Sequence, residues 1–138
     1  MKETVYGKTV FPIGGANDAF AQYFTGQSYL NMLTTEGVTI ANVTFEPGCR
    51  NNWHIHKAEK GGGQILLCTD GRGWYQEWEK AARELFPGDV VVIPAGVKHW
   101  HGAAKDMWFS HLAVEVPGDN TTNEWLEPVG GEYYGKLE

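Results

Sequence analysis

From Tyr29 onward, apolar residues recur in short runs broken every few positions by glycine, proline or aspartate. "YLNML" is the first run. In "VTIANVTFE", Val38 and Ile40 alternate with Thr39, Ala41, Val43 and Phe45, as in a strand with both faces partly covered. The runs "NNWHIH", "QILLCT", "WYQEW", "ARELF", "VVVIP", "KHWHGA" and "MWFSHLAVEV" follow. A period of two places successive side chains on opposite faces, which is the strand pattern. The intervening "EPGCR", "DGRG", "PGD" and "PAG" carry the turn chemistry that short hairpins and corners require. Strands this short and this regularly punctuated predict an all-β fold, an antiparallel sandwich or small barrel.

Both ends read differently. Residues 1–28 mix apolar patches with turn formers, and "GGANDAFAQYFTG" predicts one short helix or a turn. The tail "NEWLEPVGGEYYGKLE" is amphipathic at its start and is interrupted by Pro128 and two glycines. It predicts an aromatic-bearing segment packed on the barrel, followed by a frayed end. No internal repeat or linker divides the chain, so residues 1–138 are expected to form a single domain, with the barrel at about 29–116.

Composition supports this and removes several function classes. The 138 residues can bury a core without staples, and 18 glycines with 18 aromatics suit a β-rich domain. Net charge is -6, from 17 acidic and 11 basic residues, with no basic run. Nucleic acid and anionic membranes are therefore not expected as partners. No run is long enough to cross a bilayer. The N-terminus lacks a signal-peptide pattern, so a cytoplasmic protein is expected. Cys49 and Cys68 are too few for a disulfide framework and are expected as free thiols.

The candidate chemistry lies in the histidines. All five fall between positions 54 and 111, and four form two His-x-His pairs, His54/His56 and His99/His101. On strands, both members of a pair face the same side, while Trp53, Ile55 and Trp100 face the other. One pair alone is weak evidence for metal, because histidine also serves as a half-buried polar residue. Two pairs on separate strands reinforce each other. His111 shares a face with Phe109 and Ala113 and is balanced between a satisfied core residue and a pocket group.

The spacings Gly48-x5-His54-x-His56 … Gln64-x6-Gly71 and Gly88-x5-Pro94-x-Gly96-x2-His99 resemble the two motifs of the cupins. The stretches "VTFEPGCRNNWHIH" and "PGDVVVIPAGVKHWHGAAKDMWFSHLAVE" are similar to small single-domain cupins. That subset includes the bacterial manganese-dependent hydroxynitrile lyases and the carboxymuconolactone-decarboxylase-associated cupins. The resemblance implies a double-stranded β-helix, or jelly-roll barrel, with short terminal extensions. It implies one divalent metal ion per chain on His54, His56, His99 and a fourth ligand. Manganese comes first, with nickel, iron, cobalt or zinc as the other candidates. His101 and His111 would handle protons, and a homodimer is implied, through exchange of the strand around "YLNML".

The fourth ligand departs from the family pattern, where glutamate follows the second histidine after three or four residues. Glu59 comes one residue early and Gln64 several late. Gln64 is favoured, because it opens an apolar strand that can hold a side chain rigidly and it keeps the six-residue gap to Gly71. Glu59 lies in the "KAEKGGG" insertion, which is either a lid or solvated surface. Three imidazoles and an amide would leave a dication's charge uncompensated, making it a stronger Lewis acid for an anionic substrate oxygen. His101 beside a dication would stay neutral and serve as general base, or else be a structural histidine bonded to a carbonyl. The expected function is lyase or isomerase chemistry on a small oxygenated molecule. A dioxygenase using a redox metal and a non-catalytic small-ligand binder are the alternatives.

Overall fold

The computed structural model describes residues 9–138, so the first eight residues of the expected N-terminal extension lie outside it. Two antiparallel sheets face each other. The six-stranded sheet runs in the order Gly15–Ala16, Ser28–Thr34, Ile40–Phe45, Phe109–Glu115, Gln64–Gly71 and Val90–Ile93. The second sheet runs Arg83–Leu85, Gly73–Glu77, His99–Ala103, Arg50–Asn51 and Phe24–Thr25. Beside these, His54–Lys57 pairs with His99–Ala103 and with Thr122–Trp125. Non-sequential neighbours joined by corners are the jelly-roll arrangement.

Apolar side chains from both sheets meet between them. Phe45, Leu66, Val91, Ile93 and Phe109 come from one sheet, and Tyr75, Leu85 and Ala103 from the other. Cys49 and Cys68 are buried in this core as free thiols. Corners between sheets depend on glycine where the backbone turns left-handed. Gly71 sits at φ +75°, and a Cβ there would fall 1.8 Å from the Trp108 carbonyl oxygen.

A second cluster lies on the outer face of the second sheet, where Trp53, Trp74 and Trp100 pack under Val129 and Tyr134. Tyr134 sits in the short helix Gly131–Gly135 and donates its hydroxyl to the Ala103 carbonyl at 2.5 Å. Leu137 also packs on this cluster. The tail therefore does not fray after its first aromatic, because three tryptophans on the sheet's outer face need a cover.

The insertion after His56 is tied down. Lys60–Gly61 pairs with Gly118–Asp119, and Glu59 N–H donates to the Asp119 carbonyl at 2.9 Å. Gly61, Gly62 and Gly63 all take positive φ, which lets the chain re-enter the sheet at Gln64. The "YLNML" run forms a hairpin with its own Ile40–Phe45 neighbour. Among the described residues, no helix is long and apolar enough to cross a membrane.

Candidate metal centre

His54, His56 and His99 converge from two paired strands. His99 is the direct cross-strand partner of His54, so the two-residue spacing of His54 and His56 adds a third ring to that pair. One nitrogen from each ring lies within 4.8 Å of the others, and all three residues are buried.

The far side of each ring is fixed by a carbonyl-type oxygen. His54 Nδ1 donates to the Asn52 carbonyl at 2.8 Å, and His99 Nδ1 to the Val97 carbonyl at 2.9 Å. His56 Nδ1 donates to Asn123 Oδ1 at 2.8 Å. Each acceptor selects the tautomer with its proton on Nδ1 and leaves the lone pair on Nε2. The Nε2 atoms of His56 and His99 are buried with no hydrogen-bond partner. Burial pushes the His99 ring down to about 4, and holds His54 well below the usual histidine range, with neighbouring His99 adding to the effect. Three imidazoles whose free nitrogens lie close together, two of them buried without a hydrogen-bond partner, are what a divalent cation requires, so this donor set fits one.

The centre opens on a cavity of about 350 Å³ between the sheets. Gln64 lines this cavity with His54 and His56, and its Nε2 donates to Glu115 Oε2 at 2.5 Å. Glu59 lies elsewhere, on the exposed insertion, where it accepts a bond from Asn120 Nδ2 at 2.8 Å. The two candidates for the fourth position are thus physically separated, and Gln64 is the one in the cavity.

His101 and His111 also line the cavity, packed edge to face with ring centroids 4.9 Å apart. The short connection between their strands would suit a hairpin, yet the two residues do not sit on neighbouring strands. The His111 strand is not a hydrogen-bonded neighbour of the His99 strand. It lies in the six-stranded sheet between Ile40–Phe45 and Gln64–Gly71, and His111 meets His101 across the interior. The connection at residues 104–108 crosses between sheets and does not form a hairpin within one. Burial pushes His111 down to about 4, a fall that the nearby Leu112 backbone only partly offsets. Neither of its ring nitrogens makes a hydrogen bond of good geometry. His101 is likewise held well below the ordinary range, first by burial and then by His111 and the other three rings. Its ring is not bonded to a backbone carbonyl; the Asn51 amide nitrogen sits 3.4 Å from both ring nitrogens. The His101 backbone N–H donates to Asn51 Oδ1 at 2.9 Å, which anchors that amide.

Several contributors had no sequence signal. Trp125 stacks on His54 from the strand Thr122–Trp125, with Tyr23 stacked on its other face at 4.5 Å. Phe20, Phe24, Leu30 and Met32 give the cavity an apolar wall. Both extensions therefore help build the site. The two-residue alternation that exposed the histidines says nothing about which distant segment covers them.

Residues 41–114 match the cupin domain family. An (R)-mandelonitrile lyase of Granulicella tundricola is 42% identical over 118 residues, spanning 83% of this chain and 87% of that protein. A germin-like protein of Arabidopsis thaliana, subfamily 1 member 4, is 37% identical over 76 residues, half of this chain and 33% of that protein. The crystal structure of a cupin-like protein from Thermotoga maritima superposes with a TM-score of 0.79 at 38% identity. That match covers 94% of this chain and 96% of the other. With facing sheets, inward-pointing imidazoles and these matches in agreement, the chain belongs to the cupin family.

Proposed function

We propose that this protein is a metal-dependent lyase that breaks a carbon–carbon bond at a hydroxyl-bearing carbon, with an aryl cyanohydrin as the first substrate class to test. The observation that carries the reading is the set of three buried, tautomer-locked imidazoles beside two further buried histidines in an apolar-walled cavity. The likeness to a mandelonitrile lyase directs it to cyanohydrins.

His54, His56 and His99 would hold the cation through Nε2, with Gln64 at the fourth position. When bound, the cation supplies Lewis-acid polarisation of a substrate oxygen. Manganese is the ion to test first, as the family resemblance implies; the mixed nitrogen and oxygen donors would equally suit iron, nickel, cobalt or zinc. The chain's own residues do the rest. Phe20, Phe24, Leu30 and Met32 receive the apolar group. A neutral ring nitrogen of His101 takes the substrate's hydroxyl proton, and His111 against it offers a second site for that proton. As the hydroxyl carbon becomes a carbonyl, the carbon–carbon bond breaks and its electron pair leaves with cyanide. Cyanide then takes the proton, giving an aldehyde and hydrogen cyanide.

Elemental analysis of untagged protein, alongside mandelonitrile cleavage followed by benzaldehyde absorbance, tests this. Near-stoichiometric metal, with cleavage lost on metal removal and in His99→Ala, is the expected result. Iron in place of manganese, with no cleavage, would favour oxygen chemistry. Protein that takes up no metal would leave a ligand-binding barrel. The same reading includes a homodimer, supported by Val90 and Val92 exposed on the six-stranded sheet. Light scattering at twice the 15.4 kDa chain mass would bear this out.

A further inference from the structure

Gln64 and Glu115 are the last directly opposed pair of the ladder between Gln64–Gly71 and Phe109–Glu115. Both residues line the cavity that His54 and His56 also line. Cross-strand partners on one face lie close enough to bond side chain to side chain. Here the amide meets the carboxylate at 2.5 Å. A carboxylate only accepts, so the near end of the amide must be its N–H end, and Oε1 is turned away from Glu115. Without such a partner, an amide at this position could present either end to the three imidazoles, and the N–H end would repel a cation.

We propose that Glu115 is the positioning residue of the metal centre: it fixes the Gln64 amide with Oε1 toward the cation and supplies the negative charge that Gln64 itself lacks. The proposal rests on the metal-centre reading above. It changes the charge balance expected from the ligand set alone. Three imidazoles and an amide carry no charge, but the carboxylate one hydrogen bond behind the amide restores a single negative charge to the site. The glutamate expected at the fourth position is in effect divided between two residues. Gln64 provides the ligand atom, and Glu115 provides orientation and charge. Partners of this kind, one bond behind a ligand, typically set metal affinity within about 10–100-fold.

The test is calorimetric titration of the metal-stripped full chain with Mn²⁺, together with the visible absorption spectrum of the Co²⁺-loaded protein. The wild type, Glu115→Ala, Glu115→Gln, His99→Ala and the exchange variant Gln64→Glu/Glu115→Gln are compared. The wild type is expected to bind one ion and His99→Ala to lose it. Glu115→Ala should bind at least about tenfold more weakly with an altered Co²⁺ spectrum, and the isosteric Glu115→Gln severalfold more weakly. The exchange variant should recover affinity to within about threefold, because it keeps the bond and returns the charge. If Glu115→Ala does not fold, Glu115→Gln and the exchange variant carry the comparison. Binding by both single variants within about twofold of wild type, with unchanged Co²⁺ spectra, would overturn the proposal. So would weak binding that the exchange variant fails to restore, which would mark Glu115 as merely structural. A wild type that binds neither ion would overturn the metal-centre reading itself, and this proposal with it.

Discussion

Trp125 lies against His54, with ring centroids 4.6 Å apart and planes 29° apart. An indole from the C-terminal strand is thus stacked on a candidate ligand and lines the cavity beside it. The other tryptophans named above serve elsewhere, three of them in the outer cluster beneath the tail.

Trp125 should therefore report on the centre. Loading with a paramagnetic cation such as Co²⁺ or Cu²⁺ is expected to quench part of the intrinsic fluorescence, and Trp125→Phe to remove most of that quenching. A Trp125→Phe protein that is quenched as fully as wild type would place the ion away from His54.

His111 stands behind His101 and holds none of the three converging nitrogens. His111→Phe should lower turnover on the test cyanohydrin by about 10²-fold or more, the range for a positioned proton-transfer group. Mn²⁺ affinity should stay within about twofold of wild type, since no cation contact is lost. Joint loss of affinity and turnover would show that His111 supports the ligands themselves.

The metal-free protein should be acid-sensitive in a defined window. His99 and His111 are both pushed down to about 4 by burial, against an ordinary value of 6.5. The unfolded chain therefore binds more protons than the folded one between these values. Stability is fully present above about pH 6.5 and falls as pH drops toward about 4. Denaturant midpoints across this range should show the decline, and His111→Phe should make it shallower. A midpoint independent of pH over this interval would contradict the burial of these rings as neutral species.

The tail is a load on the outer face of the second sheet. Tyr134 is buried, bonds the Ala103 carbonyl, and stacks beneath the Arg50 guanidinium 4.2 Å from its ring centre. Tyr134→Ala should cost about 3 kcal/mol, in the range for removing a buried aromatic ring. Tyr134→Phe should cost about 1 kcal/mol for the hydrogen bond alone. Urea unfolding checks both values. A negligible effect of Tyr134→Ala would mean that the tail does not cover Trp74 and Trp100 in solution.

How much of this was legible in the sequence follows from how local each feature is. Two same-face pairs, His54/His56 and His99/His101, could be read because a strand's two-residue period puts alternate residues on one face, whatever the strand pairs with; that His99 is the member that joins His54 and His56 came from the motif resemblance. The choice of Gln64 over Glu59 followed from similar local reasoning: a residue opening an apolar strand is held, and one amid lysines and glycines is not. The strand neighbours of His111 could not be read this way. Whether a short connection forms a hairpin or crosses between sheets depends on which strand edges are already occupied.

The sequence by itself determined the strand alternation, the turns and the two same-face pairs His54/His56 and His99/His101. Each of these depends only on backbone geometry over a few residues. Tertiary structure alone decided that Asn123 locks the His56 tautomer, that Trp125 covers His54, that His111 meets His101, and that Glu115 holds the Gln64 amide. These pairs lie between 10 and 71 positions apart in the chain. They meet only through strand register and the closing of one sheet over the other, and a one-residue slip in register would turn each side chain to the opposite face.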